Sequence, residues 1–198
     1  MNEQLRRSDL TPTTQAADGL PRRRWTTAEL ARMVEAGILD PDERFELIGG
    51  EVVPMSPKGR RHEIVREEIA FILGRLASDD VRIVSEPQLN FDDDTFTLPD
   101  IVVRPAAILM PDVRGPTALL VIEVADSSLT YDLVAKAPLY ARQGVREYWA
   151  VDAQTLATTV HREPAAEGYD SVRKVAPARR LVPQLSPALG LRLKDLGV

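Results

Sequence analysis

A chain of 198 residues with 44% hydrophobic side chains suits one domain with a sizeable core. It has no cysteine and two histidines, which excludes disulfides, thiolate zinc sites and cysteine nucleophiles and leaves oxygen as the main metal donor, the chemistry of magnesium or manganese. A net charge of −5 does not advertise nucleic acid, although a local basic patch is compatible with it.

No apolar run reaches the length of a membrane span, and the N-terminus lacks the apolar core of a signal peptide, so a cytoplasmic setting is expected. Residues 1 to 22 are polar and aperiodic and read as a disordered tail, leaving 23–198 as a single domain. Arg22, Arg23 and Arg24 form either a phosphate-binding arm or, the plainer reading, a solvated surface. Thr26 and Glu29 have capping-box spacing, and Leu30, Met33 and Val34 share one face of a helix that stops at Gly37.

Phe45 to Ile48, Gly49-Gly50 and Glu51 to Met55 predict a β-hairpin, with Glu46 at a position that alternation turns to solvent. A long helix is predicted from about Arg60 to Ala77, with Val65, Ile69, Ile72, Leu73 and Leu76 on its apolar stripe. His62 falls on that stripe, either packed in the core or turned into a cleft, while Glu63 and Glu67 face solvent. Two short strands follow, split by Pro87, and then an acidic turn, Asp92 to Asp94. A calcium loop needs a glycine and a distal glutamate that are missing here, so the aspartates read as a hairpin turn.

Pro99 and Asp100 precede the apolar run Ile101 to Val103, placing a carboxylate at the mouth of a strand, where it can also simply end the turn. After an irregular connection, Ala118 to Asp152 reads as strand, crossover helix and strand, which makes the two strands parallel. Glu123 interrupts the first strand and Lys136 lies on the helix, so both can face one cleft. Pro138 must begin or kink that helix. A closing hairpin, Thr155 to Arg162 and Tyr169 to Val175, carries His161 in an exposed position, and a proline-rich segment and short tail end the chain.

Asp100, Glu123 and a backbone carbonyl, with that of Val124 the candidate, can hold one Mg²⁺ or Mn²⁺. Such an ion would polarise a phosphate, and Lys136 would orient a water or neutralise charge building on phosphate oxygens. The reaction class is phosphodiester hydrolysis. Lys58, Arg60, Arg61, Arg142 and Arg146, with the N-terminal arginines, are candidates for contacts to a nucleic-acid backbone.

Pro99-Asp100 followed by a strand bearing Glu123 resembles the PD-(D/E)XK nuclease superfamily, but Ala125 breaks the usual Glu-x-Lys. The chain is similar instead to the Uma-type restriction endonuclease family, in which the lysine lies on the next helix. The resemblance is carried by Glu123 to Ser128, Asp132, Lys136, Tyr140, Gly144-Val145, Glu147 to Trp149 and Val151-Asp152. It extends back through Phe45 to Ile48, Gly50-Glu51, His62 and Ser85 to Pro87, covering about residues 25 to 196. It implies a restriction-endonuclease-like α/β fold, a mixed β-sheet flanked by helices with an extra N-terminal helix and β-hairpins. It further implies a homodimer that cuts DNA with Mg²⁺, with Asp100, Glu123 and Lys136 at the site and Glu46 and His62 around the cleft. Tyr140, Tyr148 and Trp149 are assigned to the core, Asp132 to a cap or to a pair with a neighbouring base, and Asp152 to the end of its strand. The alternative is a non-catalytic dimeric interaction or nucleic-acid-binding module of the same fold, with the acids as remnants.

Overall fold

The computed structural model describes residues 23 to 198 except positions 56 and 127. The N-terminal tail reading, Arg22 and the motif residue Ser127 lie outside the described residues. In chain order the elements are α1 (Thr27–Glu35), β1 (Phe45–Ile48), β2 (Glu51–Pro54), α2 (Arg60–Leu76), β3 (Val81–Ser85), β4 (Leu89–Asp92), β5 (Thr95–Thr97), β6 (Ile101–Pro105) and β7 (Leu120–Ala125). A helical crossover follows, made of α3 (Leu129–Tyr131), a π-helical turn (Asp132–Lys136) and α4 (Ala137–Arg142), and then β8 (Glu147–Asp152), β9 (Thr158–Ala165) and β10 (Gly168–Val175). Among the described residues, no helix is long and apolar enough to cross a membrane.

The chain divides into two compact units. One runs to Met55 and takes in Asp92–Thr97; the other comprises Ser56–Phe91 and Leu98–Val198. In the first unit, the Thr26 hydroxyl accepts from the Glu29 amide and the Glu29 carboxylate accepts from the Thr26 amide, which starts α1 where the capping-box spacing predicts. Gly49 and Gly50 take φ of 59° and 81°, the backbone that a two-residue hairpin turn requires, and β1 lies antiparallel between β2 and β5. Phe45, Leu47, Phe96 and Leu30 pack together. The acidic turn is tied down through Asp94, which pairs with Arg24, so that arginine is a surface partner of a carboxylate. Glu46, predicted to face solvent, is 2% exposed. Alternation along a strand reports which residues share a face, and says nothing of whether the second face is covered.

The second unit is built on a six-stranded sheet in the order β10-β9-β8-β7-β6-β3. Strands β7 and β8 run parallel, as the crossover predicts, and every other neighbouring pair is antiparallel. One face packs Val65, Ile69 and Leu73 of α2 against Ile101, Val103, Ile122, Trp149 and Val151. The other packs Val102, Val121, Tyr148 and Ala150 against Ala137 and Tyr140 of α4.

The C-terminal segment is part of the first of these cores. Leu181, Leu189, Leu191, Leu193 and Leu196 are all buried there, each contributing about 2 kcal/mol of apolar burial. Prolines and single 3₁₀ turns give these leucines neither a helical nor a strand period, so pattern alone does not reveal them.

His161 is likewise buried, at 4% exposure, stacked on the Tyr148 ring and beside Tyr169, and not exposed as its hairpin position suggests. Its Nδ1 has no hydrogen-bond partner. Burial pushes its pKa below the ordinary 6.5, against an upward pull from backbone contacts at Tyr148 and Thr159. The neutral ring is the state the fold accepts, so its contribution to stability is complete above pH 6.5 and is lost as pH falls from there toward the lower folded value. Urea titrations between pH 7 and 5 should therefore show a steeper loss of stability for the wild type than for His161→Phe; parallel pH slopes would contradict this.

Candidate active site

Strands β6 and β7 pair with Ile101 opposite Ile122, so Asp100, one residue before, comes to lie across from Glu123, one residue after. The Asp100 amide donates to Glu123 Oε2 at 3.2 Å, and the Val124 amide donates to Asp100 Oδ2 at 2.7 Å. Both carboxylates are buried, at 2% and 4% exposure. Two acids removed from water side by side need cations, and the structure supplies them from two directions.

Lys136 comes from the crossover. Pro138 has no amide hydrogen, and its ring crowds the carbonyl four residues earlier; the helix widens into the π-helical turn Asp132–Lys136 just before it. From that turn Lys136 Nζ reaches Glu123 Oε1 at 2.8 Å. Tyr140, four residues on and so on the same helix face, donates its hydroxyl to the same oxygen at 2.7 Å. Asp132 accepts from the Ser128 hydroxyl at 2.9 Å inside the first turn. Asp152 accepts from the Gln154 and Thr155 amides and so ends β8 in a turn.

The second cation comes from the chain leading into α2. Lys58 Nζ lies 2.6 Å from Asp100 Oδ1 and 2.7 Å from Glu86 Oε1. Glu86 follows β3 with φ of +50°, a left-handed backbone that is costly for a residue with a side chain, and its amide donates to the Asp100 carbonyl. His62, in the first turn of α2, places Nε2 3.0 Å from Asp100 Oδ2 and Nδ1 3.1 Å from Glu63 Oε1. Both contacts are hydrogen bonds only when both ring nitrogens carry hydrogen. Glu63, predicted to face solvent, is half-buried because it turns toward His62 and Arg66. Burial pushes the Asp100 carboxyl upward, but the His62 hydrogen bond and the Lys58 charge outweigh it and hold the pKa down at about 2.

Of the residues singled out in the sequence, Asp100, Glu123, Val124, Lys136 and His62 are thus brought together in the second unit. Glu46 sits on β1 of the first. The sequence reading gave three participants no part in this cluster: Lys58, named only as a candidate for backbone contacts; Tyr140, assigned to the core, where it is indeed buried; and Glu86. Tyr140 was visible in its four-residue spacing from Lys136, whereas Lys58, ahead of α2 in irregular chain, carries no such signal. Arg61 is also engaged, donating to the Ala153 carbonyl.

The donor set suits a small hard cation: two buried carboxylates on adjacent strands, with backbone carbonyls and water to complete the coordination. Among the described residues, no group of three or more His, Asp or Glu side chains is arranged as metal ligands. Asp100 and Glu123 are the two buried carboxylates that the cluster brings side by side.

A mixed sheet with paired carboxylates on neighbouring strands and a lysine from the crossover is the architecture of a restriction-endonuclease-like nuclease fold. The structure is similar to the crystal structure of "a putative nuclease belonging to DUF820 from Anabaena variabilis ATCC 29413", with a TM-score of 0.68 and 17% sequence identity over 86% of this chain and 96% of that one. The Uma2 family model, described as "Putative restriction endonuclease", matches residues 28–194, and the chain belongs to that family. No curated protein matches it.

Proposed function

We propose that this protein is an endonuclease that hydrolyses DNA phosphodiester bonds with Mg²⁺ or Mn²⁺ held by Asp100, Glu123 and the Val124 carbonyl. The observation that carries the reading is the Lys136 ammonium on Glu123 Oε1, with the Glu123 carboxylate in turn hydrogen-bonded to the Asp100 backbone, all in one buried cluster. A bound ion would supply charge to polarise the phosphate and to acidify a water. Lys136 holds its positive charge where a phosphate oxygen gains negative charge as water attacks phosphorus and the bond to the leaving sugar oxygen breaks. Tyr140 keeps the Glu123 carboxylate in one orientation. His62 does the same for Asp100, and is in this proposal a positioning residue. Glu46, a candidate from the family resemblance, is given no step in this mechanism.

Supercoiled plasmid, linear duplex and single-stranded DNA should be incubated with the protein in Mg²⁺, in Mn²⁺ and in EDTA, and the ends mapped. Nicked or linear plasmid in metal, and none in EDTA, is the expected result. Intact plasmid at every metal concentration, from folded protein, would favour the non-catalytic module.

A further inference from the structure

The cation nearest Asp100 Oδ1 is an ammonium that belongs to the chain itself. Asp100 Oδ2 accepts from the Val124 amide and faces His62, whereas Oδ1 is contacted by Lys58 at 2.6 Å. Oδ1 is thus the Asp100 oxygen a divalent ion would take, at about 2.1 Å for Mg²⁺. An ammonium and a divalent ion on that one oxygen oppose each other, since two cations so close repel strongly in a site shielded from water.

Lys58 is also built to leave. It lies between Pro57 and Gly59 in a stretch without regular structure, ahead of α2, on a flexible four-carbon stem that is 14% exposed. Glu86 Oε1, at 2.7 Å, offers a second carboxylate that can retain the ammonium when Asp100 is given up. Lys136 differs, because it is fixed on a helical turn and its side chain is 7% exposed.

We propose that Lys58 is an internal competitor for the divalent cation at Asp100, so that metal loads there as Lys58 withdraws. The inference rests on the metal-dependent reading above. Its consequence is that Lys58 supplies the charge that balances Asp100 until metal takes its place.

Calorimetric titration of Mn²⁺ into wild type, Lys58→Met and Lys58→Met/Asp100→Asn separates the cases. Lys58→Met keeps the stem and removes the charge, and should bind Mn²⁺ about tenfold or more tightly than wild type; adding Asp100→Asn should remove that binding. Equal affinities for wild type and Lys58→Met would overturn the role of Lys58 and leave the metal site standing. Absence of Mn²⁺ binding in both would overturn the metal site and the inference with it. A second measurement needs no variant: acetylation of wild type by an N-hydroxysuccinimide ester, read by mass spectrometry, should rise severalfold at Lys58 in saturating Mn²⁺. Unchanged protection of that amine under metal saturation overturns the proposal even if Lys58→Met fails to fold.

Discussion

Glu123→Gln is expected to lose both Mn²⁺ binding and DNA cleavage, whereas Lys136→Met is expected to lose cleavage while still binding Mn²⁺. Each should lower the cleavage rate by about a thousandfold, the scale on which removing a group that meets developing charge is felt. The two losses differ because of where each group acts. Glu123 offers Oε1 to Lys136 and Tyr140 and Oε2 to the Asp100 amide. An amide in its place carries no charge for a cation, and it sets an NH₂ against one of those three donors. Lys136 is not a ligand in this reading, and its loss leaves both carboxylates in place for metal. Cleavage assays beside calorimetry, with circular dichroism confirming the fold, read the distinction directly. Full activity in Lys136→Met would remove the lysine from the mechanism, and full activity in Glu123→Gln would remove the site.

The largest effect on stability is expected away from that cluster. Glu147, at the start of β8, has no exposed surface, and it accepts four hydrogen bonds: from Trp149 Nε1 at 2.8 Å, from Arg162 Nε and Nη2 at 3.1 and 2.7 Å, and from the Gln184 amide at 2.6 Å. One carboxylate thus ties β8 to β9 and to the C-terminal segment that brings the leucines into the core. Truncation to Ala strands the indole and Gln184 N–H groups and unpairs a guanidinium, a change that costs about 3–5 kcal/mol when the partner stays buried. Arg162 is a third exposed and can rehydrate, which places the expected loss near about 3 kcal/mol, still a large share of an ordinary domain's ~5–15 kcal/mol. Urea unfolding followed by tryptophan fluorescence should show the lower midpoint. A Glu147→Ala midpoint equal to wild type would mean that these bonds contribute nothing net.

Glu147 shows how unevenly the sequence displays such features. In the sequence it stands out only as part of the Glu147 to Trp149 motif, and only the fold shows that its carboxylate is the joint between three segments. His161 and the five C-terminal leucines were hidden in the same way, the first in a hairpin taken as exposed and the others in a segment without period. Lys58 was visible as a charge and named only as a candidate for backbone contacts, because its partner, Asp100, is 42 positions away.

What the sequence determined by itself is the local set. The capping box of α1, the two-glycine turn, the parallel pair around a crossover, the irregularity imposed by Pro138, and Asp100, Glu123 and Lys136 on their respective elements all follow from neighbours within a few residues. The periods of helix and strand carry that information, because they say which side chains share a face. The tertiary structure alone decided that Lys136 and Tyr140 meet on one oxygen of Glu123, that Lys58 stands between Asp100 and Glu86, and that Glu46 and His161 are covered. Those outcomes depend on which faces pack together and on which buried charges must then find a counter-charge, and no short-range pattern encodes either.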